Sequence, residues 1–260
     1  KAAQRGIAGT ENGSAGACQL TGLSLLLPCI SNTFFYRLLI MDIPAGLLPD
    51  PWLWGAAFLY VLLLLALATA PWRKVADNEA SHVYFGAIVL VIMLWILRGG
   101  IQPGLNYHLL GMTALCLMFE WQFALVAASL VLAFTTWQGG AGWSAFGVNA
   151  LWMGALPGLF TRGFLDLCQR YLARNCFIYV FINAFLGGAL SMLLVCLGSA
   201  AVQQLAGVHA SGTVMNDFLL ILPMLMFGEG FVNGIALSLA VAYKPGWVAT
   251  FHDNWYLKGK

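Results

Sequence analysis

Charge is what this sequence has least of. Only 12 of its 260 residues are Lys or Arg and 10 are Asp or Glu, a charged share of 8%, against about 25% in an ordinary soluble domain. A soluble globule of this length cannot cover its surface with so few charges. Soluble enzymes and disordered segments are therefore excluded. A formal net charge of +2, spread over separated loops, makes no basic patch, so nucleic acid is excluded as a partner. Signatures of nucleotide and hydrolytic chemistry are missing as well. The chain contains no Walker A loop, GxGxxG, HExxH or nucleophile elbow. Nothing marks it as an enzyme, and any use of ATP falls to another chain. The 6 cysteines show no CxxC spacing, and Cys116 and Cys196 lie inside apolar runs, where cysteine behaves as a small buried hydrophobe.

What the sequence does have is apolar length. Hydrophobic residues make up 61% of the chain and the mean hydropathy is +0.83. A membrane-spanning helix takes about 20 residues, and apolar runs of that order are separated by turn residues and charges. The runs are Trp52 to Trp72, His82 to Leu97, Leu105 to Phe119, Phe123 to Trp137, a stretch from Asn149 fading into Arg162 and Asp166, Phe177 to Leu205, and Phe218 to Tyr243. Period-two alternation is lacking, which excludes a β-barrel and leaves helices. The expected fold is all-α, a polytopic bundle of seven transmembrane helices over 41–260. Residues 19–40 are apolar but interrupted by Pro28, Asn32 and Arg37, a weak extra segment at most. Alternating the spans puts Arg73, Lys74, Arg162, Arg170, Arg174, Lys244, Lys258 and Lys260 on one side, with Arg98 alone opposite. By the positive-inside rule the C-terminus is cytoplasmic and the membrane is the cell's inner (plasma) membrane.

Polar groups inside such spans are costly, so each is a functional candidate. His108 opens the short third run, where imidazole can bind a transition metal, relay a proton, or bond a neighbouring carbonyl. Glu229 lies deep in the last run, with Asn233 one turn away on the same face and Gly228, Gly230 and Gly234 allowing close helix approach. This pair can serve cation passage, couple motion to a partner, or clamp helices together. Asn149, after the glycine-rich loop, can line a path, with helix capping as its plainer role. Glu120 sits at a cytoplasmic bend beside Trp121.

Four stretches carry a family resemblance, in order along the chain. Met41-Asp-Ile-Pro-Ala-Gly46, His108-Leu-Leu-Gly111, Ala145-Phe-Gly-Val-Asn149 through Gly154, and Gly228-Glu-Gly-Phe-Val-Asn-Gly234 together resemble the cobalt/nickel substrate-capture subunits (CbiM type) of energy-coupling-factor ABC transporters. The resemblance implies seven spans, an outer N-terminus and no intrinsic cofactor or ATPase. Its cargo would be Co2+ or Ni2+, and its partners a transmembrane coupling subunit and ATPase subunits. It also implies a metal site made by the amine of Met41, by Asp42 and by His108, with 1–40 as an N-terminal extension upstream of a natural start at Met41. Two departures stand out. Asp42 replaces the family's histidine, a harder oxygen ligand in place of imidazole, and Trp152 stands where the loop's second asparagine is expected. These departures favour a membrane scaffold that kept the fold and lost transport. A stand-alone carrier coupled to cations through Glu229 is the third reading.

Overall fold

A computed structural model of the chain describes residues 41–256, except 44, 71, 73–76, 98, 101–105, 140 and 206–218. The expected extension 1–40 and Lys258 and Lys260 lie outside the described residues. Nearly all of the described chain is helical. Helix α1 is Asp50–Leu65, started by Pro51 in its first turn and an acidic Asp50, and it runs on as a 3-10 turn, Ala66–Thr69. Helix α2 is Asn78–Ile96. A two-residue hairpin follows, β1 (Gly99–Gly100) antiparallel to β2 (Asn106–Tyr107), with Gly99 opposite Tyr107. Helix α3 is Met112–Trp137. Next, α4 (Phe146–Asn149), a π-helical stretch Ala150–Ala155 and α5 (Leu156–Tyr171) join end to end. In the same way α6 (Cys176–Ile178), a π-helical stretch Tyr179–Leu186 and α7 (Gly187–Leu205) make one long rod. Asn175 caps that rod by accepting from the amide of Ile178 at 3.0 Å. Helix α8 is Leu219–Tyr243 and α9 is Asp253–Tyr256.

Among the described residues, five helical stretches are long and apolar enough to cross a membrane: Asp50–Thr69, Asn78–Ile96, Met112–Trp137, Cys176–Val202 and Ile221–Tyr243. The fifth expected span, within 146–171, is not among them. Its second half carries Arg162, Asp166 and Arg170 on one side, while Pro157, Thr161, Leu165 and Cys168 are buried on the other. Side chains such as Trp54, Phe58, Leu90, Met224 and Phe227 stay exposed on the spanning helices. In a lipid solvent that is the expected outer surface of a bundle.

The third expected run differs most from its sequence reading. His108 does not open a helix: residues 108–111 are non-helical, and α3 begins only at Met112. Gly111 sets the start because it turns the chain at φ 67°, a left-handed conformation glycine adopts without cost. The boundary expected near Glu120 is real: Glu120 has φ 72° and ψ 161°, breaking α3 into Met112–Phe119 and Trp121–Trp137. That backbone region is essentially glycine territory and stores about 1–3 kcal/mol in any other residue. At about 1.5 Å per residue, Met112–Phe119 is roughly 12 Å long, too short to cross a bilayer alone.

Helices approach closely where glycine removes a side chain. A Cβ on Gly230 would stand 2.6 Å from the carbonyl oxygen of Phe185, so α8 sits directly against the π-helical stretch. Gly147 lies against the backbone of Ala57 in the same way. Trp152 exploits a third case: its indole lies where a Cβ on Gly198 would be, 1.7 Å from Cζ2, and its Nε1 donates to the carbonyl of Val195 at 3.1 Å. Gly198→Ala is therefore expected to destabilise the bundle by about 1–3 kcal/mol, and adding Trp152→Leu should recover most of that loss. Thermal unfolding of the single and double variants in detergent checks this; additive losses would contradict it.

Candidate metal site

Two non-helical segments lie side by side inside the bundle, and Met41, Asp42, His108, Asn149 and Glu229 each belong to or bond one of them, with Asn233 bonded to Glu229. The first is Met41-Asp42-Ile43, with all three residues buried. The second is His108 to Gly111. Non-helical backbone in an apolar interior must find partners for its N–H and C=O groups, or each costs a few kcal/mol. Side chains from distant helices supply those partners.

Asn149 holds the first segment. Its Oδ1 accepts from the amide of Ile43 at 2.8 Å, and its Nδ2 donates to the carbonyl of Ile43 at 2.9 Å. One carboxamide thus stands in for a neighbouring β-strand. The capping role expected for Asn149 is not what the structure shows: its side chain makes no cap bond. Ser199 adds a bond to the carbonyl of Met41 at 3.4 Å, and the amide of Ala45 donates to the carbonyl of Ala141. Ser199 was not singled out from sequence, because a serine in an apolar run gives no sign of which backbone it faces.

Glu229 and Asn233 hold the second segment. The Glu229 carboxylate, fully buried, accepts from the amides of Leu110 at 2.7 Å and Gly111 at 2.8 Å. It also accepts from Asn233 Nδ2 at 2.8 Å, and the same Nδ2 donates to the carbonyl of Glu229 at 2.7 Å. Asn233 Oδ1 in turn accepts from the amide of Ala114 at 2.7 Å. Ala114 lies in the first turn of α3, so Asn233 performs, from another helix, the service an N-cap side chain usually gives its own. A negative carboxylate at that helix start is also favoured by the helix dipole. The shared face expected for Glu229 and Asn233 is present, and the arrangement is a clamp. Trp95 completes it by donating Nε1 to the carbonyl of Leu110 at 3.0 Å.

The clamps bring Asp42 and His108 together. His108 Nε2 lies 3.7 Å from Asp42 Oδ1, and the two residues are 3% and 4% exposed. His108 Nδ1 is 3.3 Å from the carbonyl of its neighbour Leu109, and the Trp95 ring lies against the imidazole at 4.7 Å between centroids. Nε2 itself has no hydrogen-bond partner. A buried ring nitrogen aimed at a carboxylate across a gap too wide for a hydrogen bond is the notable feature here. Bonds of about 2.0–2.2 Å from nitrogen and oxygen to a divalent transition ion would span that gap with a bent N–metal–O angle. Among the described residues, no group of three or more His, Cys, Asp and Glu comes together. Asp42 and His108 thus make at most a two-side-chain site, to be completed by backbone, amine or water.

With this geometry in hand, the relatives can be compared. A family model for the substrate-specific transmembrane region of cobalt uptake (CbiM) matches residues 42–247. The chain belongs to that family. Two solved structures share its fold. One, the crystal structure of a truncated transition metal transporter, aligns with a TM-score of 0.62 at 18% identity, covering 79% of this chain and 98% of the other. The second, the crystal structure of a transition metal transporter, aligns with a TM-score of 0.60 at 20% identity, covering 79% and 92%. Among curated proteins, no relative matches. The match begins at Asp42 and takes in His108, Asn149, Glu229 and Asn233. The chain is a multi-pass membrane protein of a family of transporter components.

Asn149→Leu is expected to strip both backbone groups of Ile43 of their partners and to lower stability by about 1–3 kcal/mol per group. Thermal unfolding together with proteolysis of the 41–49 segment measures this. Wild-type resistance in the variant would show that Asn149 does not hold the segment.

Proposed function

We propose that this protein is the substrate-capture subunit of a transition-metal uptake system, taking Co2+ or Ni2+ at Asp42 and His108. The observation that carries this reading is the buried His108 Nε2, unpartnered and facing Asp42 across 3.7 Å. Family membership supplies the context of metal uptake. Imidazole suits cobalt and nickel, while carboxylate oxygen is a harder donor that suits magnesium and manganese better. One nitrogen and one oxygen therefore lower the preference for nickel relative to an all-nitrogen site. In a chain beginning at Met41, the free amine of that residue is a third donor next to Asp42. The full assembly in this reading is a bundle of seven spans with a cytoplasmic C-terminus in the inner (plasma) membrane. It works with a transmembrane coupling subunit and separate ATPase subunits. These partners are what the resemblance to energy-coupling-factor transporters implies, and the sequence supports it in having no phosphate-binding loop of its own.

A scaffold that kept the fold and lost transport is favoured by two residues, Asp42 and Trp152, and the metal titration separates it from transport. Glu229 as a cation-coupling group draws no support from its geometry, since both carboxylate oxygens already accept N–H donors.

Purified protein beginning at Lys1, and a version beginning at Met41, should be titrated with Co2+ and Ni2+ by calorimetry. His108→Ala is expected to weaken binding by more than the ~10–100-fold typical of losing an outer-shell partner. Asp42→His should raise the affinity for Ni2+. Equal binding by wild type and His108→Ala, or binding by neither, would refute the metal role.

A further inference from the structure

Met112–Phe119 is a short rod held at both ends by other parts of the chain. At its head, next to the His108 segment, the amides of Leu110, Gly111 and Ala114 are taken by Glu229 and Asn233. At its foot, the carbonyls left without helical partners are taken by the C-terminal segment. The amide of Ala249 donates to the carbonyl of Met118 at 2.8 Å, and the amide of Thr250 to that of Leu117 at 3.3 Å. The Thr250 hydroxyl donates to the same Leu117 carbonyl at 2.7 Å. A threonine has one hydroxyl proton, so Tyr179 is the donor in its 2.6 Å bond with Thr250 Oγ1.

Positive-φ residues, Gly111 and Glu120, bound the rod. Between them Met112, Thr113, Leu115, Cys116 and Leu117 are all buried. The C-terminal segment that grips the foot is itself well anchored. Phe251 and Tyr256 stack on each other and meet the Tyr179 ring edge-on, and Gln169 bonds the Tyr256 hydroxyl at 3.0 Å. A cavity of about 670 Å³, lined in part by Met118, Phe119, Val248 and Phe251, opens beside the contact. Space thus exists for the foot to shift if the segment lets go. Residues 248–256 lie beyond the stretch matched by the family.

We propose that Thr250 is a positioning residue for the metal site, acting through the rod: the C-terminal segment fixes the foot and thereby fixes where His108 stands. The inference rests on His108 being a metal ligand only for its effect on affinity. Its mechanical part, tail to rod to His108 segment, stands without that.

The full 260-residue chain provides the test, as wild type, Thr250→Val, Thr250→Ser and the milder Tyr179→Phe. Thr250→Val keeps the side chain's shape but removes the hydroxyl, while Thr250→Ser keeps the hydroxyl. Amide hydrogen exchange is measured without metal, and Co2+ affinity by titration. Thr250→Val should speed exchange at Leu110, Gly111 and Ala114 by about fivefold, as expected for one lost hydrogen bond. The amide of Ile43, held separately by Asn149, should keep its wild-type rate. Co2+ affinity should fall by a similar factor, and Thr250→Ser should restore both. A merely local role would change exchange around Ala249 to Phe251 alone and leave Leu110 to Ala114 and the affinity untouched; that result overturns the proposal. If the wild-type chain binds neither Co2+ nor Ni2+, the metal reading fails, while the exchange arm still decides whether the tail controls the rod.

Discussion

Non-helical backbone buried in an apolar bundle is the constraint on which the rest of this structure depends. Helices satisfy their own N–H and C=O groups, so a membrane bundle can be built from them almost without regard to side-chain polarity. Met41 to Ile43 and His108 to Gly111 cannot do this, yet both sit in the interior. Some of the buried polar side chains, joined by Trp95, hold these two segments, while others, such as Thr113 and Thr161, bond each other. Asn149, Glu229, Trp95 and Ser199 come from four different helical rods, and each bonds main chain of one segment or the other, while Asn233 bonds Glu229 and the Ala114 amide at the start of α3. What emerges is a frame of main chain in which the side chains of Asp42 and His108 face each other.

Seen this way, the carboxylate of Glu229 has an architectural place. An ionised carboxylate is an acceptor only, and its three side-chain contacts are all with donors. Burial of such a group is costly in isolation, and the oriented amides at the start of α3 offset that cost. The break at Glu120 belongs to the same economy of construction. By turning the chain there, α3 presents a separate eight-residue piece whose head and foot both end on side chains or loops from elsewhere.

Much of this was legible in the sequence. The apolar runs that became Asn78–Ile96, Cys176–Leu205 and Leu219–Tyr243 were visible to within a few residues, because length and hydropathy decide helices in lipid. Glu229 and Asn233 were recognisable as a pair from their one-turn spacing. The third run misled, since residues 108–111 are apolar enough to read as the start of a span, and tertiary bonds from Glu229 and Trp95 stabilise a non-helical conformation there. Asn149 was ambiguous for a related reason. An asparagine near a helix start looks like a cap, and its actual partner, Ile43, is more than a hundred positions away. Thr250 gave no signal at all, being a small polar residue in a tail whose contact with Leu117 depends on how the tail folds back.

The grip of Asn149 on Ile43 reaches only the peptide N–H and C=O. It does not read the side chain of the residue before. The bonds that hold Ile43 thus do not use the side chain at position 42. On the proposed metal reading, a substitution at position 42 changes a ligand without removing the bonds that hold Ile43.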